Sequence, residues 1–130
     1  MEYTILLVDD EEHIHGLLPL FLARNKKHTF TVHSAENGEA GVKMYSKLAN
    51  DGSKPDLVMM DLRMPVMDGV EATRRIIEND QKAHIYLFTA YTGTETEKDA
   101  LKAGAKGTIN KSADWNRTAE EIENILEAIN

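Results

Sequence analysis

Five residues of this sequence stand where short apolar runs end, and all five are of types that handle charged ligands. Asp9 and Asp10 follow Thr4-Ile5-Leu6-Leu7-Val8, and Asp61 follows Leu57-Val58-Met59-Met60. Thr89 follows His84-Ile85-Tyr86-Leu87-Phe88, and Lys111 follows Gly107-Thr108-Ile109-Asn110. Runs of this length fit strands buried on both faces. In a parallel sheet every carboxyl end points the same way, and the crevice at that rim is where ligands bind. Such a sheet gathers three carboxylates, a hydroxyl and an ammonium in one place. Carboxylates at close range raise one another's pKa unless a cation relieves them. A hard divalent ion such as Mg2+ does this with few protein ligands and leaves positions open for phosphoryl oxygens. The chemistry these residues suit is holding a phosphoryl group on a carboxylate. Asp61 is placed for it, and Lys111 adds a fixed positive charge. Behind Asp61, Pro65 fixes one φ angle and Asp68-Gly69 supplies turn and cap chemistry, so a stiff loop leading into a helix is expected.

Bringing these residues to one rim takes alternating strands and helices, and the chain has that alternation. Ile14, Leu17, Leu18, Phe21 and Leu22 recur at helical spacing, which predicts an amphipathic helix from about Glu11 to Arg24. Pro19 lies inside it, so a kink or broken turn is expected there. Thr29-Phe30-Thr31-Val32-His33 reads as a second strand. Asn37-Gly38 opens a second helix with Gly41, Val42, Tyr45 and Leu48 on one face, ending in the loop from Asn50 to Pro55. A third helix follows the Asp61 loop and buries Val70, Thr73, Ile76 and Ile77. A weaker fourth runs from about Glu95 to Ala103, stopped by Gly104. Ile122, Ile125, Leu126 and Ile129 mark a fifth. Five strands joined by right-handed helical crossovers make an α/β fold, a doubly wound parallel sheet covered on both faces.

Composition narrows the function classes. The chain has 130 residues, enough for one domain with its own core, and no cysteine, which excludes disulfides and thiolate metal sites. A net charge of −7 argues against direct nucleic-acid binding, which needs a basic face. No apolar run approaches the roughly 20 residues that span a bilayer, and the N-terminus lacks a signal-like pattern, so a cytoplasmic protein is expected. His13 and His15 point to different sides of a helix, and His28, His33 and His84 are scattered, so the histidines suggest no metal site. Glycine-rich phosphate loops are absent. Met59 and Met60 read as core filler.

The motifs VDDEE, an acid followed by MPVMDG, TA, and AGAKG with a later lysine, in that order, resemble the receiver domain of two-component response regulators over essentially the whole chain, residues 1–130. The resemblance implies a flavodoxin-like sheet with strand order 2-1-3-4-5, as in the chemotaxis member that serves as a standard example of that order. It implies that Asp61 accepts phosphate from a histidine kinase or phosphotransfer protein. It implies that Asp9, Asp10, Asp61 and the backbone carbonyl of Arg63 hold Mg2+. Thr89 would bond the phosphoryl oxygen, Ala90 would leave room for it, and Lys111 would pair with the aspartyl phosphate. Taken singly, Asp10 ahead of Glu11-Glu12 is also what a good helix start looks like, and Lys111 reads as a surface charge.

Two positions depart from the family pattern. Where most receivers carry a Tyr or Phe readout residue, this chain has Thr108, and where proline usually follows the lysine it has Ser112. A cis bond before serine costs ~3 kcal/mol, so a trans bond is expected. Trp115 is expected to fill the aromatic volume left open beside Ala113. The reading is a phosphorylatable switch that is no enzyme beyond assisting its own phosphorylation and dephosphorylation. Its expected output is a partner protein at the face of the fourth helix, fifth strand and fifth helix, because the chain ends there without an output domain. The alternatives are a receiver-like scaffold that is never phosphorylated and a flavodoxin-like cofactor binder, which the acid-rich rim disfavours. Bulky Arg63 and Tyr91, each two residues past a site residue, predict slow self-hydrolysis.

Overall fold

The computed structural model describes residues 1–129 and alternates five strands with five helices. In chain order these are β1 (Glu2–Val8), α1 (Glu12–Leu22), β2 (Thr29–Ala35), α2 (Gly38–Asn50), β3 (Leu57–Met60), α3 (Gly69–Asn79), β4 (Ile85–Thr89), α4 (Glu95–Ala103), β5 (Gly107–Asn110) and α5 (Trp115–Ile129). The strands form one parallel sheet in the order β2-β1-β3-β4-β5, a doubly wound, flavodoxin-like arrangement.

The apolar runs become strands because both of their faces are covered. Leu6, Val8, Val58 and Met60 pack with Tyr45, Ala72, Ile76 and Ala100 of α2, α3 and α4. Ile5, Leu7, Leu57 and Met59 pack on the opposite face with Ile14 and Leu18 of α1 and Ile122 and Leu126 of α5. The period-2 geometry of a strand divides a continuous hydrophobic run into these two layers. Met59 and Met60 are fully buried, as core filler should be.

Most differences from the sequence reading lie at element ends. β2 runs two residues past His33, because its edge position lets polar Ser34 pair with Leu7. α1 spans Glu12–Leu22 and continues unbroken through Pro19, whose carbonyl still accepts the Ala23 N–H at 2.9 Å. No peptide bond among the described residues is cis, so the bond before Ser112 is trans as expected. Trp115 stacks on Phe21 at 6.2 Å and tilts against Phe88 at 6.2 Å, filling the space between α1, β4 and α5. Among the described residues no helix is long and apolar enough to cross a membrane.

Candidate functional site

Register decides which side chains meet. Val8 pairs with Met60, so Asp9 and Asp61 leave adjacent strands side by side, and the Asp61 N–H donates to the Val8 carbonyl at 2.9 Å. Asp9, Asp61 and Lys111 each stand two residues past Leu7, Met59 and Ile109, which all face α1 and α5. Strand alternation therefore sends all three side chains to the same side of the rim. Thr89 ends β4 and follows Leu87 on the other layer.

Lys111 Nζ lies 2.8 Å from Asp9 Oδ2, 3.0 Å from Glu11 Oε1 and 3.5 Å from Asp61 Oδ2. Asp9 is fully buried and Asp61 is 5% exposed. Asp9 Oδ1 accepts the Glu11 N–H at 2.9 Å, and Asp61 Oδ1 accepts the Leu62 N–H at 2.8 Å. Asp9 Oδ2 receives no hydrogen bond of directed geometry, so its contact with the ammonium is an ion pair by distance only. Burial, and then the neighbouring Asp9 charge, push the Asp61 carboxyl up to about 7, against the opposing pull of Lys111 and the Leu62 N–H. Burial works to depress the Lys111 ammonium, yet its close contacts with the Asp9 and Glu11 carboxylates outweigh it and hold the group above its ordinary value.

This donor set fits a hard divalent cation. Ligand oxygens of Asp9, Glu11 and Asp61 lie within 4.8 Å of one another. One ammonium against three carboxylates leaves the cluster anionic, and a buried Asp9 oxygen lacks a directed donor. Such oxygens match the preference of Mg2+. Asp10 lines the same cleft with an exposed side chain, and its charge also raises Asp61. The closely grouped third acid is Glu11, which sequence reasoning took only as part of a helix start. Glu11 is the residue before α1, and its side chain makes no capping bond. No sequence spacing signals its meeting with Lys111, which lies 100 residues away.

A cleft of about 260 Å³ opens above the cluster, lined by Asp10, Glu11, Asp61, Arg63, Ala90, Tyr91 and Lys111. At its mouth the Arg63 guanidinium lies 4.0 Å over the Tyr91 ring, a cation–π contact. Thr89 is buried, and its hydroxyl accepts the Tyr91 N–H at 2.9 Å.

The loop behind Asp61 is anchored as expected. Asp68 caps α3 by accepting the Glu71 N–H at 2.9 Å, and the Gly69 N–H returns to the Leu62 carbonyl at 3.0 Å. Between them Val66 holds a φ of 69°, and the Met67 N–H bonds the Pro65 carbonyl across it, a three-residue turn that strains a β-branched residue.

The histidines behave unevenly. His15 bonds the Asp9 carbonyl at 2.7 Å and the Ser34 hydroxyl at 2.8 Å. His28 meets Glu127 at 2.7 Å and Glu123 at 3.8 Å, a grouping with ligand spacing that the sequence did not suggest. The Asn25 amide also holds Glu123 at 2.7 Å, so these contacts fasten α5 to the start of β2.

The family model described as "Response regulator receiver domain" matches residues 5–123. The chain is 40% identical over 128 residues to the chemotaxis protein CheY of Halobacterium salinarum, covering 98% of this chain and all of that one. It is 35% identical over 126 residues to CheY of Bacillus subtilis, covering 97% and 99%. The crystal structure of a CheX-CheY complex with BeF3 and Mg2+ from Borrelia burgdorferi superposes with a TM-score of 0.79 at 26% identity, covering 95% of this chain and 88% of that one.

Proposed function

Since the chain belongs to the response regulator receiver family, we propose that it is a phosphorylatable switch whose acceptor is Asp61. The observation that carries this reading is the convergence of Asp9 and Asp61 on the Lys111 ammonium, with Asp61 pushed up to about 7. A nucleophile kept close to neutral pKa at a charged site is a sign of function.

In the proposed reaction an Asp61 Oδ attacks the phosphorus of a phosphohistidine on a kinase or phosphotransfer protein. The P–O bond forms as the P–N bond breaks, and the imidazole leaves with the electron pair. Asp9, Asp10, Asp61 and the Arg63 carbonyl, with Glu11 close by, would hold Mg2+, which would supply neutralising charge for the carboxylates and the phosphoryl oxygens. Lys111 is freed from its carboxylate contacts to pair with the transferred group. The Thr89 hydroxyl turns from the Tyr91 N–H to donate to a phosphoryl oxygen, and small Ala90 leaves space for it. The chain would act in the cytoplasm and signal through a partner protein on the α4-β5-α5 face, with no catalysis beyond its own phosphorylation and dephosphorylation. The BeF3 and Mg2+ bound in the Borrelia complex support the chemistry by analogy.

Incubation with Mg2+ and acetyl phosphate tests the proposal. Intact-mass measurement is expected to show the gain of one phosphoryl group, lost when EDTA is present. No gain at any Mg2+ concentration would leave the alternative, a receiver-like scaffold that is never phosphorylated.

The stacked Arg63 and Tyr91 at the mouth of the cleft would narrow the approach for hydrolytic water, so the phosphorylated form is expected to be long-lived. Tyr91→Ala and Arg63→Ala are each expected to speed loss of the phosphoryl group by about 3- to 10-fold, a barrier change of about 1 kcal/mol. Wild-type decay as fast as that of the variants would contradict this gating role.

A further inference from the structure

A continuous series of hydrogen bonds runs from the buried threonine of the site to the edge strand of the sheet. The Tyr91 N–H donates to Thr89 Oγ1 at 2.9 Å, and the Tyr91 carbonyl accepts from Thr94 Oγ1 at 3.1 Å. Thr94 Oγ1 in turn caps α4 by accepting the Glu97 N–H at 3.2 Å. The Glu97 carboxylate then divides between two partners. Oε1 accepts the Gly93 N–H at 2.7 Å, and Oε2 accepts the Thr108 hydroxyl at 2.7 Å. Gly93 has a φ of +76° and no atom within 4 Å of its missing Cβ, so the turn is open to solvent on that side. Thr108 lies on β5, paired with Leu87 two residues before Thr89.

We propose that Glu97 is a positioning latch for the switch, a carboxylate that ties the β4–α4 loop to the edge strand and holds the resting state until Thr89 turns away from Tyr91. This inference rests on the phosphoacceptor reading above and adds how the signal crosses to the α4-β5-α5 face in a chain without an aromatic residue at position 108. When the Thr89 hydroxyl moves to a phosphoryl oxygen, the Tyr91 N–H loses its acceptor. The loop from Ala90 to Thr94 then relaxes, and the Glu97 carboxylate loses the geometry that bonds Gly93 and Thr108 together. A ligand selecting the active state works against whatever stabilises the resting one, so a latch on the resting state weakens ligand binding by the same factor. The Gly93 N–H and the Thr108 hydroxyl hold the Glu97 carboxyl below its ordinary range, so the latch is ionised and at full strength at neutral pH.

Beryllofluoride binding in saturating Mg2+, followed by calorimetry, tests this in the full chain. Glu97→Ala and Thr108→Val are each expected to tighten the apparent affinity by about 3- to 10-fold, and Thr108→Ser, which keeps the hydroxyl, to match the wild type. Combining Glu97→Ala with Thr108→Val is expected to add little to Glu97→Ala alone, because Glu97→Ala already removes the bond that Thr108→Val deletes. Mg2+ affinity without beryllofluoride is expected to stay unchanged, and the Gly93 amide to exchange faster in Glu97→Ala. A wild type that binds beryllofluoride while the variants bind it equally well overturns the latch and leaves the switch standing. A wild type that does not bind it overturns both.

Discussion

Asp61→Asn is expected to abolish phosphoryl uptake from acetyl phosphate and, in the same protein without metal, to raise the melting temperature. The two effects share one cause. Burial and the Asp9 charge make an ionised Asp61 costly in the folded protein, which is why its carboxyl titrates near 7 and not near its ordinary 3.8. Between those values the folded chain binds a proton that the unfolded chain has released. Stability therefore falls as pH rises through the window from about 4 to about 7, and the whole cost is present above it. The shift sets an upper bound of about 4 kcal/mol, and relaxation of the site reduces it to about 1–3 kcal/mol. Asparagine keeps the shape and still accepts the Leu62 N–H, but it cannot attack phosphorus. Thermal unfolding in EDTA is expected to show wild type and variant equal near pH 4 and the variant higher by about 3–10 °C near pH 8. Saturating Mg2+ should reverse the order, because the ion binds the folded wild type and has lost a ligand in the variant. A variant that takes up phosphate, or gains no stability at alkaline pH, would contradict the assignment.

Gly69→Ala is expected to damage the site through the backbone alone. A Cβ at Gly69 would lie 2.1 Å from the Asp61 carbonyl oxygen and 3.0 Å from Leu62 Cα. Both are backbone atoms held by the bond from the Gly69 N–H to the Leu62 carbonyl and by the pairing of β3, so they have little room to yield. The expected loss is about 2–4 kcal/mol, a fall in melting temperature of about 10 °C, with much slower phosphorylation. Gly16→Ala provides the contrast. It is a helical glycine with no atom within 4 Å of its missing Cβ, and it is expected to stabilise the chain by about 0.5–1 kcal/mol. Equal effects of the two substitutions on unfolding would show that the close approach at Gly69 is not what holds the loop.

Thr108 gives the departure from the family pattern a physical meaning. An aromatic residue there would occupy volume, whereas a threonine offers one donor, and the structure gives that donor to Glu97. Under the latch proposed above, conformational information would travel as the making and breaking of hydrogen bonds in an exposed loop, a mode more sensitive to solvent than ring movement.

What the sequence determined by itself was the sheet, its alternation with helices, and the gathering of Asp9, Asp61 and Lys111 at one rim. The elements follow from local rules, because strand length and apolar runs act over a few residues at a time, and the common direction of parallel strands then carries those residues to one rim. The helix through Pro19 and the length of β2 were less legible, since packing by α5 and pairing with β1 override local preference. The closeness of Glu11 to Lys111, the stacking of Arg63 on Tyr91, the meeting of His28 with Glu127 and the bond from Thr108 to Glu97 were decided only by tertiary structure. Each depends on where the tip of a flexible side chain comes to rest between elements. Sequence spacing carries no such information, because it sets where a Cα lies along an element and leaves the reach of the side chain to the packing around it.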